Sequence, residues 1–235
     1  MIIYPVLQIL DGKCVSLERG EVSKPIIWHF DPVEKAKEFA QSGASWIHVT
    51  DIDSLLDNES NEELILEIIR QTGVPIQVGG GIRSVAQADH WFELGVGRVI
   101  FGTLAVTSPF IVKEVAKLNP DQVVISLDIW QGKVMIHGWR DSGAIDPADF
   151  IFAYNNIPLA GIVITDVDSS VDELESTLEQ LTELAEIATS PVIASGVVQK
   201  QSDIDRLREI YNVQGVLVGQ AIYNRRIEID GLFNE

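Results

Sequence analysis

Asp128, Thr165 and Gln8 stand where three apolar, β-branched runs stop. A carboxylate at such a point can exchange protons with a substrate once its pKa is tuned toward neutrality. A glutamine amide has no proton affinity near pH 7 and can only hydrogen-bond. A helix cap or a structural acid would account for Asp128 equally simply, and an ordinary strand threonine for Thr165. Glycines close four further runs: Gly80 and Gly81 in Val78-Gly79-Gly80-Gly81-Ile82-Arg83, Gly102 ahead of Thr103, Gly196 after Ser195, and Gly219 ahead of Gln220. Glycine lets backbone N–H groups approach an anion closely, and a helix starting just beyond adds partial positive charge. Tight turns use the same residue type, so the weight rests on the pairing. Two pairs, each at the ends of consecutive runs, form two phosphate cradles and imply a ligand phosphorylated at both ends.

Arg83, His48, Asp51 and Trp139 are the other candidates for contact with that ligand. Trp139 follows Gly138 in the loop beyond Asp128, where an indole could stack on a heterocycle, with core packing as the competing reading. His48 is the only histidine near a strand end, and a hydrogen-bonded core histidine is the simpler account of it. Asp51 and Asp166 read as carboxylates that anchor loops. Trp46, Trp91 and Trp130 read as packing residues. His29, His48, His90 and His137 have no metal-ligand spacing, so no metal is expected.

The runs that carry these residues alternate with amphipathic stretches from end to end, as repeated βα units do. Eight strands are expected at roughly Ile2–Gln8, Trp46–Asp51, Pro75–Val78, Arg98–Phe101, Gln122–Asp128, Gly161–Thr165, Pro191–Ala194 and Gly215–Val218. Helices fall over Asp31–Ser42, Asn61–Gln71, Ser84–Leu94, Ser108–Leu118, Asp172–Ala188 and Lys200–Tyr211. Asp31 before Pro32 and Ser108 before Pro109 offer caps. The chain also repeats itself: Ile47-His48-Val49-Thr50-Asp51-Ile52-Asp53-Ser54 falls on Ile162-Val163-Ile164-Thr165-Asp166-Val167-Asp168-Ser169, while Gln8 falls on Asp128, Gly80 on Gly196 and Gly102 on Gly219. Two half-barrels closing into one α/β fold, a (β/α)₈ barrel over residues 1–235, explain this better than an open doubly wound sheet. In such a barrel the strand C-termini form the active-site mouth.

Composition sets outer limits. Seventeen basic against 35 acidic residues give a net charge of −18, which argues against nucleic acid as a partner. Screening confines the general repulsion to about 8 Å, so local donors could still hold a phosphate. The opening MIIYPVLQIL has no basic leader and reads as a strand, and no apolar run is long enough for a membrane span. One cysteine, Cys14, allows no internal disulfide and suits a reducing cytoplasm. The expected partner is a phosphorylated small molecule, with the protein a monomer or small homo-oligomer.

Pro5-Val6-Leu7 with Asp11-Gly12-Lys13, His48 with Asp51, Gly79-Gly80-Gly81-Ile82-Arg83, Gly102-Thr103, Leu127-Asp128, Gly138-Trp139, Thr165-Asp166, Ser195-Gly196 and Gly219 occur in that order. Together they resemble the histidine-biosynthesis barrels, above all the phosphoribosylformimino-aminoimidazole carboxamide ribotide isomerases and next the cyclase subunit of imidazole glycerol phosphate synthase. The resemblance implies a bis-phosphorylated substrate and a cofactor-free Amadori rearrangement of an aminoaldose to an aminoketose. It also implies two aspartates, at the ends of strands one and five, sharing the acid and base work. Asp128 matches the second, Thr165 a threonine that assists it, and Trp139 a tryptophan that stacks on substrate.

The departures are equally specific. Gln8 stands at the first aspartate's position, Ser16 where these isomerases usually have arginine, and Val197 where the second cradle has glycine. A β-branched residue at Val197 is expected to obstruct a left-handed backbone. The loop Asp168–Asp172 lacks the family's Arg-Asp-Gly-Thr, and the tail after Tyr223 is short for a final helix. Three readings follow: a related isomerase, a paralogue with other chemistry in another pathway, and a phosphate-ligand-binding protein without catalysis.

Overall fold

The computed structural model describes residues 1–167 and 174–233. The β-branched runs form strands β1 (Ile2–Leu10), β2 (Ile47–Asp51), β3 (Ile76–Gly79), β4 (Arg98–Phe101), β5 (Val123–Trp130), β6 (Gly161–Asp166), β7 (Val192–Ser195) and β8 (Val213–Val218). Short strands inside loops are named by their residues. Each barrel strand pairs in parallel with the next, and β8 returns to β1 in the register Ile2↔Gly215 to Pro5↔Val218. The sheet is closed, so the open-sheet alternative falls and the (β/α)₈ barrel stands.

Alternation along the strands decides what faces the interior. Tyr4, Ile100, Val124, Val163, Ile193 and Leu217 make a core inside the barrel, distinct from the larger one between strands and helices. Counting two or four residues onward along the same inward face from each of them reaches Gln8, Gly102, Asp128, Thr165, Ser195 and Gly219. The inner face therefore changes from apolar to polar or glycine at its upper end, and there the mouth forms.

Helices α1 (Pro32–Gln41), α2 (Glu62–Thr72), α3 (Val85–Glu93), α4 (Pro109–Leu118), α5 (Pro147–Tyr154), α6 (Leu174–Ile187) and α7 (Gln201–Arg208) surround the sheet. Asp31 caps α1 as expected, accepting from the N–H groups of Val33 and Glu34. Ser108 makes no side-chain cap on α4, because it also ends the preceding short helix and its own N–H donates to Leu104 O. The sequence reading omitted α5 although Asp146-Pro147 carries the same cap signal, and Asp146 does accept from Ala148 N. After β8 the described residues form one short helix, Gln220–Tyr223. No helix among the described residues is long and apolar enough to cross a membrane.

The duplication extends to a feature the sequence reading missed. Beyond their last barrel residues, β1 and β5 each run into a hairpin with a short antiparallel strand, Lys13–Ser16 and Lys133–Ile136 respectively. Asp11-Gly12 and Gln131-Gly132 turn these hairpins with φ of 51°, 68°, 48° and 72°, the paired left-handed conformation of a tight two-residue turn. Gln8 and Asp128 stand at the bases of these two hairpins.

Candidate active site

A cavity of about 980 Å³ occupies the upper end of the barrel, and Gln8, His48, Gly80, Gly81, Arg83, Gly102, Thr103, Asp128, Trp139, Thr165, Ser195, Gly196, Gly219 and Gln220 all line it. Asp51 is the one sequence candidate outside it. Its charged neighbours differ from the chain as a whole: three arginines, Arg83, Arg140 and Arg226, face two carboxylates, Glu21 and Asp128. With Arg83 paired to Asp57, the mouth is balanced in charge and lacks the acidic excess of the chain as a whole.

Asp128 is half-buried, and loss of hydration pushes its carboxyl above the usual aspartate range. Hydrogen bonds donated by the Trp139 indole, the Ser126 hydroxyl (3.0 Å) and the Thr165 hydroxyl act against that shift without cancelling it. The result is a carboxylate of increased basicity held in fixed orientation, the property a proton-abstracting group needs. Ser126 was missed from sequence, although it lies two residues before Asp128 on the same inward face.

Trp139 belongs to a run of three left-handed residues, His137, Gly138 and Trp139, with φ of 56°, 63° and 68°. Such a run persists only where the surroundings hold it. Here Thr103 Oγ1 accepts from His137 N (2.8 Å), and His137 O accepts from Arg140 Nε (2.7 Å). The indole lies so close to Gly20 that a Cβ there would sit 2.6 Å from its ring. The loop after β5 is thereby drawn over the mouth against the loop after β1.

Gln8 turns its amide oxygen to Leu17 N (3.3 Å) on the far side of its hairpin, so it shapes the β1 loop. Ser16, at the usual arginine position, is buried and accepts from Trp28 Nε1 (2.9 Å). His48 is the second residue of β2 and not near its end, which corrects the placement expected from sequence. Burial pushes its pKa down to about 4, so the ring is neutral at pH 7. Gln77 Nε2 lies 3.0 Å from Nδ1 and Thr50 Oγ1 lies 3.0 Å from Nε2. The neutral ring thus bridges Gln77 and Thr50.

The cradles differ in detail. Gly80 and Gly81 are left-handed (φ 101° and 68°), and added Cβ atoms would sit 2.1 Å from Asp51 O and 2.2 Å from Ser54 O. Glycine is needed here so that the β3 loop can lie against the β2 loop. Asp51 secures that neighbour: its carboxylate accepts from Ser60 Oγ, Asn61 N, Asn61 Nδ2 and Ser54 N. It anchors a loop, as does Asp166, which accepts from Thr177 Oγ1 at 2.6 Å. Arg83 likewise spends its guanidinium on Asp57 and on Leu55 O.

Gly102 (φ −94°, ψ −98°) and Gly219 (φ −123°, ψ −82°) take matching conformations as N-caps of short helices. The first intrahelical bonds run from Ala105 N to Gly102 O and from Ile222 N to Gly219 O. The N–H groups of Thr103 and Leu104, and of Gln220 and Ala221, precede them and have no intrahelical acceptor. Val197 does not obstruct its cradle. It is absent from the left-handed residues, that conformation is taken by Gly196 (φ 82°), and the valine packs into the core. Trp130 is 42% exposed at the hairpin turn, which overturns its reading as a packing residue; Trp91 is buried as expected. Asp168–Asp172 lie outside the described residues.

Comparison with known proteins accords with this geometry. Residues 2–228 match the family described as histidine biosynthesis protein. A relative from Ruegeria sp. (strain TM1040) is 52% identical over 230 residues, covering 98% of this chain and 93% of its own, and is named 1-(5-phosphoribosyl)-5-((5-phosphoribosylamino)methylideneamino)imidazole-4-carboxamide isomerase 1. Isomerase 2 of the same description from Ruegeria pomeroyi is 45% identical, with 98% and 93% covered. The Caulobacter vibrioides isomerase is 35% identical, with 95% and 94% covered. The chain therefore belongs to the histidine biosynthesis protein family of (β/α)₈ barrels.

Proposed function

We propose that this protein isomerises a phosphoribosyl aminoaldose to the corresponding aminoketose; its relatives are named isomerases of a phosphoribosyl compound. The observation that carries the proposal is Asp128: half-buried, raised in pKa, and hydrogen-bonded by Ser126 Oγ at the centre of a mouth with two matched glycine-capped helix starts. Gly102, Thr103 and Gly80 with Gly81 receive one phosphate, and Ser195, Gly196, Gly219 and Gln220 the other. Ring opening breaks the C1–O4 bond, O4 takes a proton and the nitrogen becomes a protonated imine. The Asp128 carboxylate then removes the C2 proton, and the electron pair moves to form the neutral enaminol. Return of that proton to C1, with loss of the O2 proton, completes the aminoketose.

Gln8 sets the pace in this account. It can hydrogen-bond the ring oxygen but cannot protonate it, so water supplies the O4 proton and ring opening is slow. General-acid help of this kind is typically worth about 10²–10⁴ in rate. Thr165 supports Asp128, Trp139 covers the ligand, and His48 acts through Thr50. The engagement of Gln8 by Leu17 N favours a second reading, ligand binding without turnover. Incubation of the purified chain with the relatives' bis-phosphorylated substrate separates the two. Conversion to the ketose supports the isomerase, whereas binding with no conversion supports the second reading.

A further inference from the structure

The three arginines that line the mouth are held differently. Arg83 is committed to Asp57 and to Leu55 O, and Arg140 gives its Nε to His137 O. Arg226 donates from Nη1 to Gln199 Oε1 at 3.1 Å, a neutral acceptor. None of the ion pairs among the described residues includes it. An arginine keeps its charge in a protein, so this guanidinium meets the cavity as a cation held by an uncharged group.

The chain fixes both ends of that contact. After the short helix Gln220–Tyr223, Arg225 N donates to Ile222 O (3.0 Å) and Arg226 N to Ala221 O (2.9 Å). These are the two bonds of a Schellman closure, with Arg225 in the left-handed position (φ 56°) that glycine usually takes. The closure turns the chain back, and Arg226 comes to line the mouth. Gln199 is secured by the buried Asp203, whose carboxylate accepts from Gln199 N (2.9 Å) and Lys200 N (3.0 Å). Because Gln199 follows closely on Gly196 in the loop after β7, its amide ties the guanidinium to the second cradle.

The half-barrel repeat gives the first cradle no counterpart. The offset that lays Gly102 on Gly219 lays Pro109 on Arg226, and there the chain continues into α4. Arg83, in the loop after β3, is already paired with Asp57. A guanidinium with one donor engaged still presents an edge that matches two phosphate oxygens. We propose that Arg226 is a phosphate-binding residue of the second cradle and makes it the tighter of the two anion sites, so that the two ends of the ligand are held unequally. The inference rests on the placement of a phosphate among Gly196, Gly219 and Gln220, and does not depend on turnover.

Amide NMR titration of the full chain with inorganic phosphate, at ionic strength held constant with sodium chloride, tests this. In the native chain the signals of Gly196, Gly219 and Gln220 are expected to report a dissociation constant on the order of 1 mM, and those of Gly102 and Thr103 a weaker one. Arg226→Gln should weaken binding at the second cradle about ten-fold, as the loss of a hydrogen bond from a charged group does, and leave the first cradle unchanged. Arg226→Lys, which keeps the charge without the fork, should fall between. Unaltered affinity at Gly196 and Gly219 in Arg226→Gln, an equal loss at both cradles, a tighter first cradle in the native chain, or no shift at the second cradle would each overturn the proposal. Conversion of the bis-phosphorylated substrate is scored separately. Conversion by the native chain with unaltered phosphate affinity in Arg226→Gln removes this inference alone, whereas the expected loss of affinity without conversion removes only the isomerase reading.

Discussion

Gln8 and Asp128 occupy equivalent points of the two half-barrels, each inward-facing and each at the base of a hairpin whose turn is left-handed at both central residues. One position carries a carboxylate and the other an amide. Gln8→Asp should therefore raise kcat by about ten-fold or more, within the range of general-acid help. It should also add a descending limb to a pH–rate profile that otherwise rises through one ionisation. Steady-state kinetics from pH 4 to 9 would show both effects, and an unchanged rate would separate Gln8 from the chemistry.

The indole N–H of Trp139 stabilises the ionised form of Asp128. Trp139→Phe keeps an aromatic ring over the mouth but removes that donor, so the Asp128 pKa should rise further. The ascending limb of kcat/KM should then move to higher pH. A limb that stays in place would place the indole away from the carboxylate in solution.

Burial holds the Asp128 carboxyl above its unfolded pKa, so between the two values the folded state binds more protons than the unfolded state. Stability then falls as pH rises through that window, and the deficit is complete above the folded-state pKa. Asp128→Asn should raise the melting temperature at pH 7, with the difference shrinking as pH drops below the unfolded value. For a chain of this length each 1 kcal/mol appears as about 2–4 °C. Calorimetry at pH 7 and pH 3 would detect it, and an equal or lower melting temperature at pH 7 would contradict the assigned shift.

Two glycines separate packing from binding. A Cβ at Gly80 would sit 2.1 Å from Asp51 O with φ at 101°, whereas a Cβ at Gly102 meets no atom within 4 Å. Gly80→Ala should destabilise by about 2 kcal/mol or more through overpacking and backbone strain. Gly102→Ala should act mainly on KM, raising it about ten-fold or more, because its methyl group occupies anion space. A Gly102→Ala enzyme with unaltered KM would remove phosphate from that cradle.

All eight barrel strands were legible because β-branched runs repeat at even spacing, and the mouth followed from where those runs stop. The internal repeat even paired Gln8 with Asp128 correctly. Contacts between distant loops left no such trace. Nothing in Gly138-Trp139 announces that its indole reaches back to Asp128, or that three successive residues turn left-handed to allow it. Val197 was misjudged by one residue, since the strained position is Gly196. Asp51 has the same residue type as Asp128 yet serves a loop, and only the four donors around it in space distinguish the two.

The most direct measurement compares conversion of the bis-phosphorylated aminoaldose by the native chain and by Asp128→Asn, both verified as folded, under single-turnover conditions. Detectable conversion by the native chain and a loss of about 10² or more in the variant is the predicted result. Equal rates for the two proteins, or no conversion by the native chain at saturating substrate, would contradict the assignment of proton abstraction to Asp128.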